Sequence, residues 1–229
     1  MLKVAGLVPF TTIDFPTCLA AVIFFQGCPL RCPFCHNPNL QPYDDLTAMD
    51  WSEVVQFLTT RQKRLDGVVL SGGEPLMQEN LLEAIHQIKD LGFKVAVHTS
   101  GIYPEKLKQI LPLIDWIGLD VKAPSDKYSI LTGRSNTWIP VQSSIRLIVN
   151  SGMDYEVRTT LDPRYLTISD VYKLADELTA ENVTKYTLQK YRTFDQDKNP
   201  PMQLEVDSFF NDENLICFLK KTFPKFSCR

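Results

Sequence analysis

Short, nearly continuous apolar runs alternate with amphipathic stretches along most of this chain, and that alternation leaves few folds open. "AAVIFFQ" (20–26), "GVVLSG" (67–72), "KVAVHTS" (94–100), "WIGLDVK" (116–122), "YEVRTT" (155–160) and "KYTLQKY" (185–191) each read as a strand. Runs this apolar belong to strands covered on both faces, as in parallel sheets. Helical patterns fall between and beside them at 50–62, 81–91, 104–111, 141–150 and 168–178. The first opens on Asp50 with Glu53 three residues on, a capped start, and Gly92 supplies a stop after the second. Strand then helix, about six times over, predicts βαβ units with right-handed crossovers. The expected fold class is α/β, a partial TIM-type (β/α)6 barrel with a curved parallel sheet and outer helices. No repeat or linker-like composition breaks the 229 residues, so one domain over 1–229 is expected, with 195–203 a polar loop near the end.

Charge excludes some partners. The net charge of −3 gives no overall basic field for nucleic acid or anionic lipid, and Lys220, Lys221, Lys225 and Arg229 read as a solvated tail. The first sixteen residues, with one lysine and prolines at 9 and 16, do not read as a signal peptide, and no apolar run is long enough to span a membrane. A cytoplasmic setting is expected, where thiols stay reduced.

In sheets of this kind ligands bind beyond the carboxyl ends of the strands, where the strand-to-helix loops converge. Cys28, Gly73, Thr99, Asp120, Arg158 and Gln189 fall at or just beyond such ends and are expected to share one edge. "FFQGCPLRCPFCHNPNL" (24–40) then gathers three of the chain's six cysteines, Cys28, Cys32 and Cys35, into eight residues with spacing C-x₃-C-x₂-C. Soft thiolates in a reducing compartment suit an iron–sulfur cluster or zinc. A structural zinc wants four ligands, and no second C-x₂-C pair exists, although His36 could complete a Cys₃His set. A four-iron cluster on three cysteines leaves one iron open to a small molecule. Phe34 either packs in the core or lies against a planar ligand. His36 reads as a loop hydrogen-bonder rather than a ligand. Cys18, Cys217 and Cys228 read as small buried hydrophobes or idle thiols, and Met77 and Met153 as packing.

The cysteine spacing after the first strand of a βα repeat resembles the signature of radical S-adenosylmethionine enzymes. That resemblance implies a [4Fe-4S] cluster on Cys28, Cys32 and Cys35, whose open iron chelates the amino and carboxylate groups of S-adenosylmethionine. "LSGGEPL" (70–76) resembles the family's GGEP motif, so Gly72, Gly73, Glu74 and Pro75 are implied to meet the methionine amino group. "VHTSG" and "GLDVKAP" resemble the third and fourth strand ends of activases for glycyl-radical enzymes, which implies cofactor contacts for Thr99, Ser100, Asp120 and Lys122. An acid and an ammonium two residues apart on one strand face are equally a structural ion pair. His98 stands where some such activases carry an acid, which puts a bound cation beside Asp120 in question. Arg158 either clamps a carboxylate or ribose or pairs with a core acid. Gln189 and Arg192 carry a thinner likeness.

The opening segment "TTIDFP" and the closing "CHN" of the cysteine loop resemble the anaerobic ribonucleoside-triphosphate reductase activating protein branch. The implied reaction is removal of a glycine Cα hydrogen on a partner glycyl-radical enzyme, with flavodoxin or ferredoxin as a low-potential electron donor. A small-molecule enzyme similar to 7-carboxy-7-deazaguanine synthase is a second reading, and a noncatalytic zinc or Fe-S binding protein a third.

Overall fold

A computed structural model describes residues 2–43, 49–194 and 197–229. The strands are β1 (Val4–Thr11), β2 (Ala20–Phe25), β3 (Gly67–Gly72), β4 (Lys94–Thr99), β5 (Trp116–Asp120), β6 (Tyr155–Leu161), β7 (Lys185–Lys190) and β8 (Lys225–Cys228). The helices are α1 (Trp51–Arg61), α2 (Leu81–Asp90), α3 (Pro104–Ile110), α4 (Ser125–Thr132), α5 (Trp138–Ser151), α6 (Ile168–Ala180), α7 (Gln203–Phe210) and α8 (Glu213–Thr222). Strand order follows sequence order, β1 to β8, in one mostly parallel sheet, so the α/β class and the βα alternation are as expected.

The chain divides into two compact units. The first comprises Met1–Pro29, Asn39–Thr99 and Tyr103–Gly118, and the second Leu30–Pro38, Ser100–Ile102 and Leu119–Arg229. In the first, β2, β3 and β4 run parallel, with Val22 beside Val69 and Val69 beside Ala96. Their side chains from Ala20 to Ile23, Val68 to Leu70 and Val95 to Val97 are buried, as continuous apolar runs require. Full burial of each valine, leucine or isoleucine contributes about 1.5–3 kcal/mol. Phe15, Cys18, Trp116 and partly buried Phe24 pack with Ala20, Val22, Val69 and Ala96 in one cluster. Helix α1 starts as expected: the Glu53 carboxylate accepts the Asp50 N–H at 2.8 Å.

In the second unit β6, β7 and β8 are parallel, with Val157 beside Tyr186 and Tyr186 beside Phe226. Helix α6 carries a reciprocal cap, in which Asp170 accepts the Thr167 N–H at 2.7 Å and donates its own N–H to Thr167 Oγ1 at 3.3 Å.

Five elements escape the sequence reading. Strand β1 runs antiparallel to β2 and holds Gly6 and Pro9, which erase the alternation; proline is tolerated because the strand lies at the sheet edge. Helix α4 has only a weak apolar face, and β8 is four residues long. After the polar loop come two helices and a strand, α7, α8 and β8. Residues 195–196 of that loop lie outside the described residues. Cys18 is buried as expected, but Cys217 and Cys228 are exposed, because they sit on the outer helix and the edge strand rather than in the core.

Candidate active site

The first unit holds a turn made mostly of backbone. Cys28 lies three residues past β2, Gly73 one past β3, and Thr99 ends β4, so all three sit at the carboxyl ends of parallel neighbours. Gly72 has φ +110°, and a Cβ there would lie 2.3 Å from the Phe25 nitrogen. At Gly73 a Cβ would lie 2.1 Å from the Gly27 carbonyl oxygen and 2.9 Å from that of Leu40, so any side chain displaces main chain. The turn is pinned by Gly73 N–H to the Phe25 carbonyl and Glu74 N–H to the Gly27 carbonyl, both at 2.8 Å. Cys28 N–H donates to the Gln41 carbonyl at 3.0 Å.

Glu74 is fully buried, and its Oε1 accepts from Thr99 Oγ1 at 2.6 Å and from the Leu76 N–H at 3.1 Å. Glu74 therefore joins the β3 and β4 ends, a bracing role absent from the motif reading. Pro75 opens a short 3₁₀ turn, Pro75–Met77. Two buried glutamines brace the same region. Gln26 Nε2 donates to the carbonyls of Asn39 at 2.9 Å and Pro42 at 2.7 Å, while Gln78 Nε2 donates to the Gln26 carbonyl at 2.8 Å. The sequence reading missed both; a glutamine closing an apolar strand, as Gln26 does, is the signal that could have found one of them. His98 contacts the Asp14 carbonyl through Nε2 at 2.8 Å and meets the Trp116 ring edge-on. It thereby holds the "TTIDFP" segment, where Thr11 Oγ1 also donates to Asp14 Oδ2 at 2.5 Å.

The second unit holds a group of charges of its own. Asp120 ends β5, and its Oδ1 accepts from Arg158 Nε at 2.8 Å and Nη2 at 2.7 Å, while Oδ2 accepts from Lys122 Nζ at 3.2 Å. Both carboxylate oxygens thus face protein cations. Burial works to lower the Lys122 pKa, but the Asp120 carboxylate and the Cys32 thiol outweigh it, so the ammonium is held above the ordinary lysine value. Burial pushes the Cys32 thiol up, Lys122 pulls it down, and Cys35 and Asp120 push it further up. Cys32, Cys35, Asp120 and Lys122 therefore form one electrostatic neighbourhood.

Two expectations change here. Strand β5 stops at Asp120, so Lys122 lies beyond it and meets the carboxylate from the following loop rather than from a shared strand face. Arg158 is mid-strand in β6, not at its end, and reaches Asp120 by the length of its side chain. The fully buried Tyr128 hydroxyl lies 3.4 Å from the Lys122 N–H, a contact hidden because α4 was not foreseen. Ser100 is buried.

Within the cysteine loop, Arg31 N–H donates to the Thr132 carbonyl at 2.8 Å and Cys35 N–H to the Cys32 carbonyl at 3.2 Å. Phe34 is buried with its ring 6.2 Å from that of Tyr165. His36 Nε2 lies 3.0 Å from the Arg192 carbonyl, and its ring stacks on Tyr191, so this imidazole is engaged as a loop hydrogen-bonder. Gln189 faces the chain end: with its amide turned to satisfy both ends, its oxygen accepts from Arg229 Nη2 at 3.1 Å and Nε at 2.9 Å.

Comparison with known proteins agrees with these features. Residues 22–178 match the Radical SAM superfamily. A Methanocaldococcus jannaschii protein described as a glycyl-radical enzyme activating enzyme is 30% identical over 201 residues, covering 84% of this chain and 81% of its own length. The pyruvate formate-lyase-activating enzyme of Clostridium pasteurianum is 30% identical over 198 residues, covering 82% and 81%. Among solved structures, anSMEcpe with bound AdoMet superposes with a TM-score of 0.69 at 16% identity, covering 89% of this chain. Streptococcus suis SuiB bound to S-adenosylmethionine gives 0.68 at 14% identity, covering 91%. This chain spans 61% of the former and 51% of the latter, and that likeness is one of fold. On the family match and the two near full-length relatives, this chain is an enzyme of the radical S-adenosylmethionine superfamily, within its glycyl-radical enzyme activating family.

Proposed function

We propose that this enzyme generates a glycyl radical on an anaerobic ribonucleoside-triphosphate reductase. The observation that carries the chemistry is the neighbourhood shared by Cys32, Cys35, Asp120 and Lys122. Thiols set beside a charged lysine and a carboxylate suit a cofactor whose methionine end bears one positive and one negative group. The family's cofactors are a [4Fe-4S] cluster and S-adenosylmethionine. The donor chemistry fits them: the cysteine loop carries three soft donors, and the main chain of Gly73 packs so closely on its stem that a Cβ would lie 2.1 Å from the Gly27 oxygen. His36, which could complete a Cys₃His zinc set, meets the Arg192 carbonyl through Nε2 and stacks on Tyr191, which supports its reading as a loop hydrogen-bonder.

In this reading Cys28, Cys32 and Cys35 hold the cluster, which supplies the electron that breaks the S–C5′ bond of S-adenosylmethionine. The Gly72–Pro75 turn receives the methionine ammonium through main-chain carbonyls, and buried Glu74, braced by Thr99, keeps the turn in shape. Lys122 receives the carboxylate. Arg158 and Asp120 hold the lysine in place, since Asp120 bonds both cations. With both groups bound, the site would supply the 5′-deoxyadenosyl radical chemistry that converts a glycine Cα–H of the partner into a glycyl radical, with methionine and 5′-deoxyadenosine as the other products. Flavodoxin or ferredoxin supplies the electron, in a cytoplasmic setting. The reductase is favoured as partner by the "TTIDFP" segment, which His98 ties down, and by the "CHN" that closes the cysteine loop.

The test is anaerobic reconstitution with iron and sulfide, reduction by dithionite, and assay for 5′-deoxyadenosine. The control replaces Cys28→Ala, Cys32→Ala and Cys35→Ala together. Incubation with the reductase is expected to yield an organic radical doublet by electron paramagnetic resonance. Zinc at one equivalent with no iron uptake overturns the enzyme chemistry, whereas 5′-deoxyadenosine without a radical on the reductase overturns only the partner.

A further inference from the structure

We propose that Arg164 is a positioning residue that fixes the Cys35 end of the cysteine loop, acting through two tyrosines. The inference rests on the reading of that loop as the cluster's holder. Cys35 stands between Phe34 and His36, and each neighbour meets a different aromatic ring. Phe34 faces Tyr165 at 6.2 Å, and His36 stacks on Tyr191 at 5.6 Å with an interplanar angle of 26°. The Arg164 guanidinium sits over both of those tyrosines, 5.4 Å from the Tyr165 centroid and 4.9 Å from that of Tyr191.

Its donors are spread over three acceptors. Nε and Nη2 reach Asp162 at 2.9 and 2.6 Å, Nη1 and Nη2 reach Asp197 at 2.9 and 3.0 Å, and Nη1 also reaches the Asn199 carbonyl at 2.6 Å. The Tyr191 hydroxyl donates to Asp197, so the ring under His36 is tied to the same carboxylate. Asp162 is almost wholly buried and Asp197 nearly so. A planar cation with its hydrogen bonds filled and aromatic rings against it has few alternative orientations. Both tyrosines inherit that rigidity, and through them so do the residues on either side of Cys35. Hydrogen bonding to Asp162, helped by Asp197, holds the Arg164 pKa above its ordinary value, so the clamp is charged at every working pH.

The experiment compares reconstituted wild type with Arg164→Met, reading iron release to a chelator and the electron paramagnetic resonance spectrum of the reduced cluster. Arg146→Met is the control. It removes a two-bond pair between Arg146 on α5 and Glu181, the residue just past the end of α6, away from the rings that meet the cysteine loop. Arg164→Met is expected to release iron about tenfold faster than wild type and to shift or broaden the spectrum, with Arg146→Met unchanged. Equal release rates and identical spectra in wild type and Arg164→Met overturn the proposal. So does faster release that Arg146→Met reproduces. If Arg164→Met does not fold, Asp197→Asn is read instead; it preserves volume, loosens the guanidinium from one side, and is expected to speed release about threefold. An unchanged rate in that variant also overturns the proposal. A wild type that takes up zinc and no iron overturns the cluster reading and this inference together, whereas a wild-type cluster indifferent to Arg164 overturns this inference alone.

Discussion

The Gly72–Pro75 turn and the Asp120–Lys122–Arg158 group are built by opposite means. The turn works by main-chain shape: it has no room for a Cβ, and its hydrogen bonds are to backbone carbonyls. The charged group works by side chains that reach from a strand end, a loop and a mid-strand position. A backbone cradle fails all at once when a side chain is forced into it, while a charged group loses function in steps as its partners are removed.

The sharpest way to break that contrast is Gly73→Ala. Its methyl would lie 2.1 Å from the Gly27 oxygen, within the stem of the cysteine loop. A displacement near 1 Å is expected to reduce 5′-deoxyadenosine formation about 100-fold. Gly6→Ala, where a Cβ meets nothing within 4 Å, is expected to leave the rate unchanged. Activity retained in Gly73→Ala would show that the turn yields, and the contrast would fail.

Lys122→Met comes next. Loss of one charge-assisted contact of about 2 kcal/mol predicts roughly 30-fold weaker S-adenosylmethionine binding by calorimetry, with the fold intact. Because the Lys122 ammonium is held above its ordinary pKa, wild-type binding is expected to stay level from pH 6 to 9 as far as this group is concerned. A fall across that range assigned to Lys122 would remove it from the carboxylate.

Thr99→Val tests the bracing of the turn. It strips Glu74 of its 2.6 Å hydroxyl donor and is expected to lower stability by about 1–2 kcal/mol in denaturant melts. No change would mean that Glu74 keeps its place without the Thr99 hydroxyl.

The smallest effect concerns Asp170, whose 2.7 Å ion pair with Lys127 braces α4, the helix that carries Tyr128 toward Lys122. Burial pushes the Asp170 carboxyl up, but Lys127 and Thr167 outweigh it and hold it below its ordinary value. A depressed carboxylate contributes stability above its unfolded pKa of about 3.9 and loses it as pH falls through the lower folded value. Asp170→Asn is therefore expected to cost about 1 kcal/mol at pH 7, with the gap to wild type constant down to about pH 5 and closing below pH 4. A gap that grows on acidification would reverse the sign argument.

Legibility in the sequence followed the range of the interaction. The strands at Gly67–Gly72 and Lys94–Thr99 and the helix start at Asp50 were visible because periodicity and capping are local properties. So were Cys28, Cys32, Cys35 and the GGEP turn, whose chemistry is carried by residue type and spacing. Arg158 was legible as a residue but not as a partner of Asp120, because 38 positions separate them in the chain. Gln189 read as a site residue because it lies near a strand end, yet its amide is held by Arg229, forty residues away.

The sequence by itself determined the βα alternation, the buried strand faces, the soft-donor loop and the glycine turn, since each is decided by residues within a few positions of one another. Only the tertiary structure decided which charges meet at Asp120, that Glu74 is held by Thr99, and that Arg164 lies over Tyr165 and Tyr191, the rings that meet Phe34 and His36 on either side of Cys35. Ion pairs and ring contacts depend on distance in space, and the chain must fold before those distances exist.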